Sequence, residues 1–390
     1  MFHALATLIR EFSLVEVPEA YRKRLQTEPV QAVYASPVYP KVRLVDKASG
    51  GKADGLNAGI NCARYPLFCV VDADSILQQD SLTRVVQPFL EDASTVASGG
   101  VIRLANGCVV KDGLVTEVHL PKGFLLLFQL VEYLRAFLFG RLGWSQFNAV
   151  LIISGAFSMF HKERAMAAGG YRADTVGEDM DLVVRLHRTL RQDKRGYRIA
   201  FVPDPICWTE APETLGALKR QRMRWQQGLA ESVAPNFGLM FNRHGGVLGW
   251  LAFPLTLLFE FFGPFIEILG YLCMIVFWFL GLLTWPVFLV FLFASVGLGV
   301  LLSVNALLLE ELSFHLYPRP AQQLKLFLVA ILENFGYRQL TAVWRCMGLV
   351  KWMLAPKEYR HRKDDRRSED REEEKRRVGE IRRDSSWQDP

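Results

Sequence analysis

The sequence predicts an α/β domain followed by an α-helical membrane region, and two observations carry that expectation. Between residues 42 and 202, short apolar runs alternate with helix-like segments, the pattern of a sheet covered by helices. From residue 245 onward the chain becomes a series of long apolar stretches broken at Gly263-Pro264 and Thr284-Trp285-Pro286, most of them long enough for a bilayer. The 390-residue chain is 51% hydrophobic with a formal net charge of +6. A basic excess of that size fits Lys- and Arg-rich cytoplasmic loops, and no nucleic-acid partner is expected from it. The six cysteines are scattered without a C-x-x-C pair, which argues against a disulfide framework or a zinc site.

In the α/β part, Val42–Val45 reads as a strand, and Gly50-Gly51-Lys52 as a loop opening a helix. Backbone N–H groups beside a lysine suit a phosphate, although the P-loop spacing is absent and a plain surface turn has the same pattern. Leu67–Val71 is a buried strand bounded by turn chemistry, and Asp72-Ala73-Asp74 follows it directly. Two carboxylates at i and i+2 suit a hard divalent cation that shares substrate phosphates. A strand that stops at a polar turn is the ordinary alternative. Ser81–Leu90 reads as helix and Thr95–Leu104 as strand. Phe124–Leu142 carries Gln129, Glu132, Arg135 and Arg141, too many polar groups for a spanning helix, so an amphipathic helix is expected. Val150–Ile153 reads as a strand leading to Ser154-Gly155-Ala156.

Gly177-Glu178-Asp179-Met180-Asp181 opens a helix over 182–190. Acidic residues in a first helical turn either complement the dipole or supply a general base. Tyr197–Val202 is a strand. The segment 219–228 holds Lys219, Arg220, Arg222 and Arg224 with Gln221 and Trp225. Such a helix is a solvated face, a membrane-surface helix or a grip on an anionic leaving group.

Four spans are expected, at about 247–262, 265–283, 287–309 and 324–342, because an even number keeps residues 220–224 and the basic stretch after Lys351 on one, cytoplasmic, side. Residues 1–240 then form the cytoplasmic domain and residues 351–390 a charged, disordered tail. Glu333 and Arg338 are the two intramembrane charges that would pair if the helices formed a transport pathway.

Taken in order, Gly51-Lys52-Ala53-Asp54-Gly55-Leu56-Asn57, Asp72-Ala73-Asp74, Gly177-Glu178-Asp179 and Gln221-Arg222-Met223-Arg224-Trp225, followed by apolar helices, resemble the processive membrane type of family-2 glycosyltransferase. Cellulose, hyaluronan and poly-N-acetylglucosamine synthases are its familiar members. The resemblance covers residues 44–346, and the Q-x-x-R-W motif in register with the acidic motifs is its most specific part. It implies a GT-A-type (Rossmann-like) nucleotide-sugar domain. Asp179 would be the catalytic base. Lys52, Asp72, Asp74, Ser154 and Gly155 would bind the UDP-sugar donor, with Asp72 and Asp74 holding Mg2+ or Mn2+. Glu178, Gln221, Arg224 and Trp225 would face the acceptor and the diphosphate.

The activity implied is inverting transfer of a sugar, N-acetylglucosamine first, to a polysaccharide or lipid acceptor at the inner face of the plasma membrane, with any export partner left open. The family's opening helices, first strand and acidic base-binding loop have no counterpart here, so the chain is read as lacking the start of its catalytic domain. A non-catalytic membrane protein with a degenerate domain is the alternative.

Overall fold

The computed structural model describes residues 2–18, 24–193, 196–242 and 245–354. The tail expected to be disordered lies outside the described residues beyond Leu354. After helix α1 (Phe2–Glu11), strands β1 (Val15–Glu16), β2 (Val30–Ala35) and β3 (Arg43–Lys47) form a small antiparallel sheet. Gly51, at φ +87°, turns the chain into α2 (Lys52–Cys62). The buried Asp54 in its first turn pairs with Lys47 of β3 and accepts from the Glu28 N–H at 2.8 Å, which pins the small sheet to the helix.

The central sheet is mixed. Strands β4 (Leu67–Val71), β5 (Ile76–Leu77), β6 (Thr95–Leu104), β9 (Phe157–His161) and β10 (Arg198–Thr209) lie in the order β4-β9-β6-β10-β5, while β7 (Val109–Lys111) and β8 (Leu114–Glu117) make a separate hairpin. β6 and β10 run parallel, the remaining neighbours antiparallel, and β4 is an edge. Every residue of β6 is buried, as a central strand covered on both faces requires. The strand expected at 150–153 is displaced to Phe157–His161. Val150 and Ile153 are buried all the same, and Ile153 lies directly over Gly99 of β6, where any side chain would collide with it.

Helix α3 (Ser81–Glu91) packs on β6 and β10. On the sheet lies a long helical segment, α4 (Phe124–Tyr133), which continues through a wider π-type stretch to Gly140 and on into α5 (Arg141–Gln146). Leu127, Leu130, Leu134 and Leu138, spaced at helical intervals, are buried in the main core, so the amphipathic expectation for 124–142 matches the structure. α6 (Lys162–Ala167), α7 (Glu178–Gln192) and α8 (Leu215–Val233) complete the domain.

Among the described residues the chain continues through helices α9 (Leu248–Phe261), α10 (Gly263–Phe279), α11 (Trp285–Ser313), α12 (Pro320–Leu332) and α13 (Tyr337–Leu354). Among the described residues α11 alone is long and apolar enough to cross a bilayer unaided, and α9 with α10 reaches that length as a pair bent by 49°. The stretch 324–342 is divided between α12 and α13, because Gly336 (φ +98°) turns the chain there. Trp278, Phe279, Val290 and Phe293 project outward without protein cover.

Buried ion pairs join these helices to the α/β domain. Arg103 at the end of β6 pairs with Glu310 of α11, both almost fully buried. Arg135 pairs with Glu333, which also accepts from Ser303 Oγ at 2.6 Å. Arg222 Nη2 lies 2.8 Å from Glu132 Oε2, and the Tyr337 hydroxyl donates to the same oxygen at 2.7 Å. Glu333 therefore does not form the expected pair with Arg338, whose Nη1 donates instead to Asn334 Oδ1 at 2.9 Å.

Candidate functional site

Four segments distant in sequence converge at the ends of β4 and α7. Lys52 Nζ lies 2.5 Å from Asp72 Oδ1 and 3.7 Å from Glu178 Oε1, and it donates to the Gly155 carbonyl at 3.4 Å. The Gly155 N–H donates to Asp179 Oδ2 at 3.1 Å, and Asp179 Oδ1 accepts from the Met180 N–H at 2.8 Å. The Asp72 N–H donates to the Ala156 carbonyl at 3.1 Å, which ties the end of β4 to the 154–156 segment. Gly155 sits in the middle of this group: a methyl there would come 3.2 Å from Lys52 Nζ and 3.4 Å from Asp179 Oδ2. Ser154 lies beside it, its Oγ accepting from the Ala156 N–H at 3.3 Å.

The position of Glu178 and Asp179 is set by α8. Gly177 and Gly228 are packed backbone to backbone, such that a Cβ on either would stand 2.8 Å from the other's Cα. Three residues further along α8, the Glu231 carboxylate accepts from Thr175 Oγ1 at 3.0 Å and from the Val176 N–H at 2.9 Å. Thr175 Oγ1 in turn accepts from the Gly177 N–H at 3.1 Å. One helix thus carries the Q-x-x-R-W residues and holds the turn that delivers the acidic pair. Burial, then the neighbouring Asp179 charge, pushes the Glu178 carboxyl above the usual carboxylate range, while Lys52 and Arg224 oppose that shift.

The basic residues of α8 divide by face. Arg222 is buried against Glu132, whereas Arg224 is exposed and close enough to Glu178 to stabilise its charge. Trp225 is 39% exposed, with the Arg222 guanidinium 4.4 Å above its ring and the rings of Tyr133 and Phe137 each 6.3 Å away. Gln221 is half-buried. Asp74 is exposed on the turn after β4; the Cys207 thiol, pushed up to about 12 chiefly by burial, feels both its charge and that of Asp72. Of the residues singled out from sequence, Lys52, Asp72, Gly155, Glu178 and Asp179 form one contiguous cluster. Arg224 borders it, and Trp225 is the exposed end of an aromatic wall formed with Phe137 and Tyr133.

Two other residues at this site carry no motif signature: Glu231, and Arg141, which is buried near Asp179. Asn57, the last residue of the Lys52 motif, donates from its side chain to the Tyr171 carbonyl at 2.7 Å and accepts from the Tyr171 N–H at 2.8 Å, locking α2 to the loop before α7.

The fold and this cluster define a mixed α/β domain with a lysine–carboxylate site at its strand ends and an apolar helical region behind it. The family model described as "Glycosyltransferase like family 2" matches residues 21–228, more than half of the chain, and the chain belongs to that family. It is 35% identical over 189 residues to the poly-beta-1,6-N-acetyl-D-glucosamine synthase of Staphylococcus aureus (strain COL), and 30% identical over 189 residues to that of Staphylococcus epidermidis. Each match takes in 48% of this chain and 40% of the relative, so the chain spans well under half the length of the curated relatives it matches. A mannosyltransferase from Pyrobaculum calidifontis, solved with GDP-Man and Mn2+, aligns over 79% of this chain and 68% of its own, at 17% identity and a TM-score of 0.42.

Proposed function

We propose that the chain is an inverting membrane glycosyltransferase that moves a sugar, N-acetylglucosamine first, from a UDP-sugar to a growing polysaccharide or lipid acceptor. The observation that carries this reading is the convergence of Lys52, Asp72, Gly155 and Asp179 within hydrogen-bonding reach of one another. Asp179 takes the proton of the acceptor hydroxyl. The acceptor oxygen bonds to the anomeric carbon as the bond to the diphosphate oxygen breaks, through an oxocarbenium-like state and with inversion, so no enzyme nucleophile is required. Lys52 and Arg224 meet the negative charge that grows on the leaving diphosphate. Trp225, Gln221 and Glu178 border the acceptor side, and Ser154 with Gly155 lines the sugar.

Asp72 and Asp74 are oxygen donors on one turn, a set that suits Mg2+ or Mn2+. Among the described residues no group of three or more His, Cys, Asp or Glu is arranged to hold a metal ion by itself, so the donor diphosphate and water would complete the coordination. A cation bound there would neutralise the leaving diphosphate. The exposed apolar faces of α9, α10 and α11 support a multi-pass inner-membrane protein with residues 1–240 in the cytoplasm. The relatives' names support N-acetylglucosamine as the sugar.

The test is UDP release by the purified full chain, with Mg2+ or Mn2+, across a panel of UDP-sugars. Asp179→Asn lowers turnover by about 10²–10⁴-fold while UDP binding persists. Turnover by Asp179→Asn equal to that of the unmodified chain overturns the reading.

A further inference from the structure

Arg141 opens α5 with only 7% of its surface exposed. Its Nη1 is buried and has no hydrogen-bond partner among the described residues, and no carboxylate there comes close enough to form an ion pair with it. Its guanidinium carbon stands 4.3 Å above the ring centroid of Phe137. Phe137 lies 4.6 Å from Tyr133 and 6.3 Å from Trp225, so the cation rests on an aromatic wall that ends at the Q-x-x-R-W tryptophan. Asp179 is near enough to favour the charge on Arg141 without pairing with it, and burial brings the guanidinium down only to about 10, so it stays charged at neutral pH. Each of the other buried arginines of the domain, Arg103, Arg185 and Arg222, has a carboxylate partner. A buried, charged group without a partner is costly, and a fold that keeps one between a general base and an aromatic wall leaves its donors for a ligand.

We propose that Arg141 is the hydrogen-bond donor of the acceptor subsite, receiving the oxygen atoms of a saccharide whose ring stacks on Trp225, the exposed end of the aromatic wall, and whose hydroxyl faces Asp179. The inference rests on the transferase reading above and adds to it the residue that orients the acceptor. An anionic acceptor is not required, because a guanidinium presents a planar fork that hydroxyl and amide oxygens satisfy as well. A few polar groups beside an aromatic surface fix a ligand's orientation in this way.

The test uses the full chain in detergent and a short β-1,6-linked N-acetylglucosamine oligosaccharide as probe. Its binding is measured without donor, and its KM with UDP-N-acetylglucosamine present. Arg141→Met weakens binding of the oligosaccharide and raises its KM by about tenfold or more, the loss of a charged hydrogen bond, while KM for the donor stays within about twofold. Arg141→Lys recovers part of that loss. Phe137→Leu, which keeps the guanidinium and removes the ring beneath it, raises the acceptor KM in the same direction. A purely structural role shows up as lowered thermal stability with acceptor and donor KM unchanged or rising together, and overturns the proposal. If the unmodified chain releases no UDP, the transferase reading fails, and the binding measurement then decides alone. Oligosaccharide binding lost in Arg141→Met sustains the subsite, and no binding by the unmodified chain removes it.

Discussion

Glu231→Ala tests whether α8 governs the catalytic turn. The substitution removes the acceptor of Thr175 Oγ1 (3.0 Å) and of the Val176 N–H (2.9 Å), and frees Gln227 Nε2 (3.0 Å) on its own helix. Hydrogen bonds to a charged group contribute about 1.5–3 kcal/mol each. Gln227 regains water, so the loss falls on the two turn contacts, roughly 3 kcal/mol after partial rehydration. Thr175 then no longer fixes the Gly177 N–H, and Glu178 and Asp179 swing with the turn. A displacement near ~1 Å at the reacting groups lowers the rate by about a hundredfold. Steady-state UDP release therefore shows kcat falling about a hundredfold while KM for the donor stays within about threefold, because Lys52 and Asp72 are untouched. Glu231→Gln keeps an acceptor oxygen for the turn and recovers most of the activity. Turnover by Glu231→Ala within twofold of the unmodified chain, or an equal loss in Glu231→Gln, would refute the argument.

Three further outcomes follow from the same geometry. Gly228→Ala places a methyl 2.8 Å from the Gly177 Cα, and the strain of about 1–3 kcal/mol lowers the melting temperature and kcat together; an unchanged melt counts against the glycine contact. The buried His187, whose Nε2 donates to the Val150 carbonyl at 2.9 Å, is brought down by burial to about 4. A depressed histidine contributes stability that is present above its unfolded pKa and lost as pH falls through its folded value, here roughly 3 kcal/mol between about pH 6.5 and 4, so thermal melts at pH 7 and 5 differ in an acid-sensitive direction that His187→Gln reduces. Glu178 has the opposite sense: its raised carboxyl contributes stability below the unfolded pKa that is lost as pH rises through the folded one. Glu178→Gln therefore melts higher at pH 8, by a margin that shrinks toward pH 5, and a constant margin would contradict the burial argument.

The parts of the fold that were legible in the sequence are those whose signal is local. Leu67–Val71 with Asp72 and Asp74 behind it, the glycine at the start of α2, and the acidic first turn of α7 all announce themselves within a few residues. The run 150–153 was misleading because its apolar side chains are needed by the core whether or not its backbone joins a ladder. Glu333 and Arg338 are the charges of one expected span, but the break at Gly336 separates their helices, and Glu333 finds Arg135, 198 positions away. Glu231 and Arg141 are ordinary charged residues on helices, and only the tertiary arrangement shows one gripping the turn before Asp179 and the other lying beside that carboxylate.

The buried pairs Arg103–Glu310 and Arg135–Glu333 bear on how this polypeptide is handled. Trimming the gene after α8 to obtain a water-soluble half would strand Arg103 in an apolar interior and uncover the leucine-rich flank of α4. Such an excised piece would be expected in inclusion bodies, whereas the intact product, carried in detergent or nanodiscs, retains both counter-charges. The helical region after α8 is thus a structural prerequisite for the α/β domain, and the two are best regarded as a single folding unit.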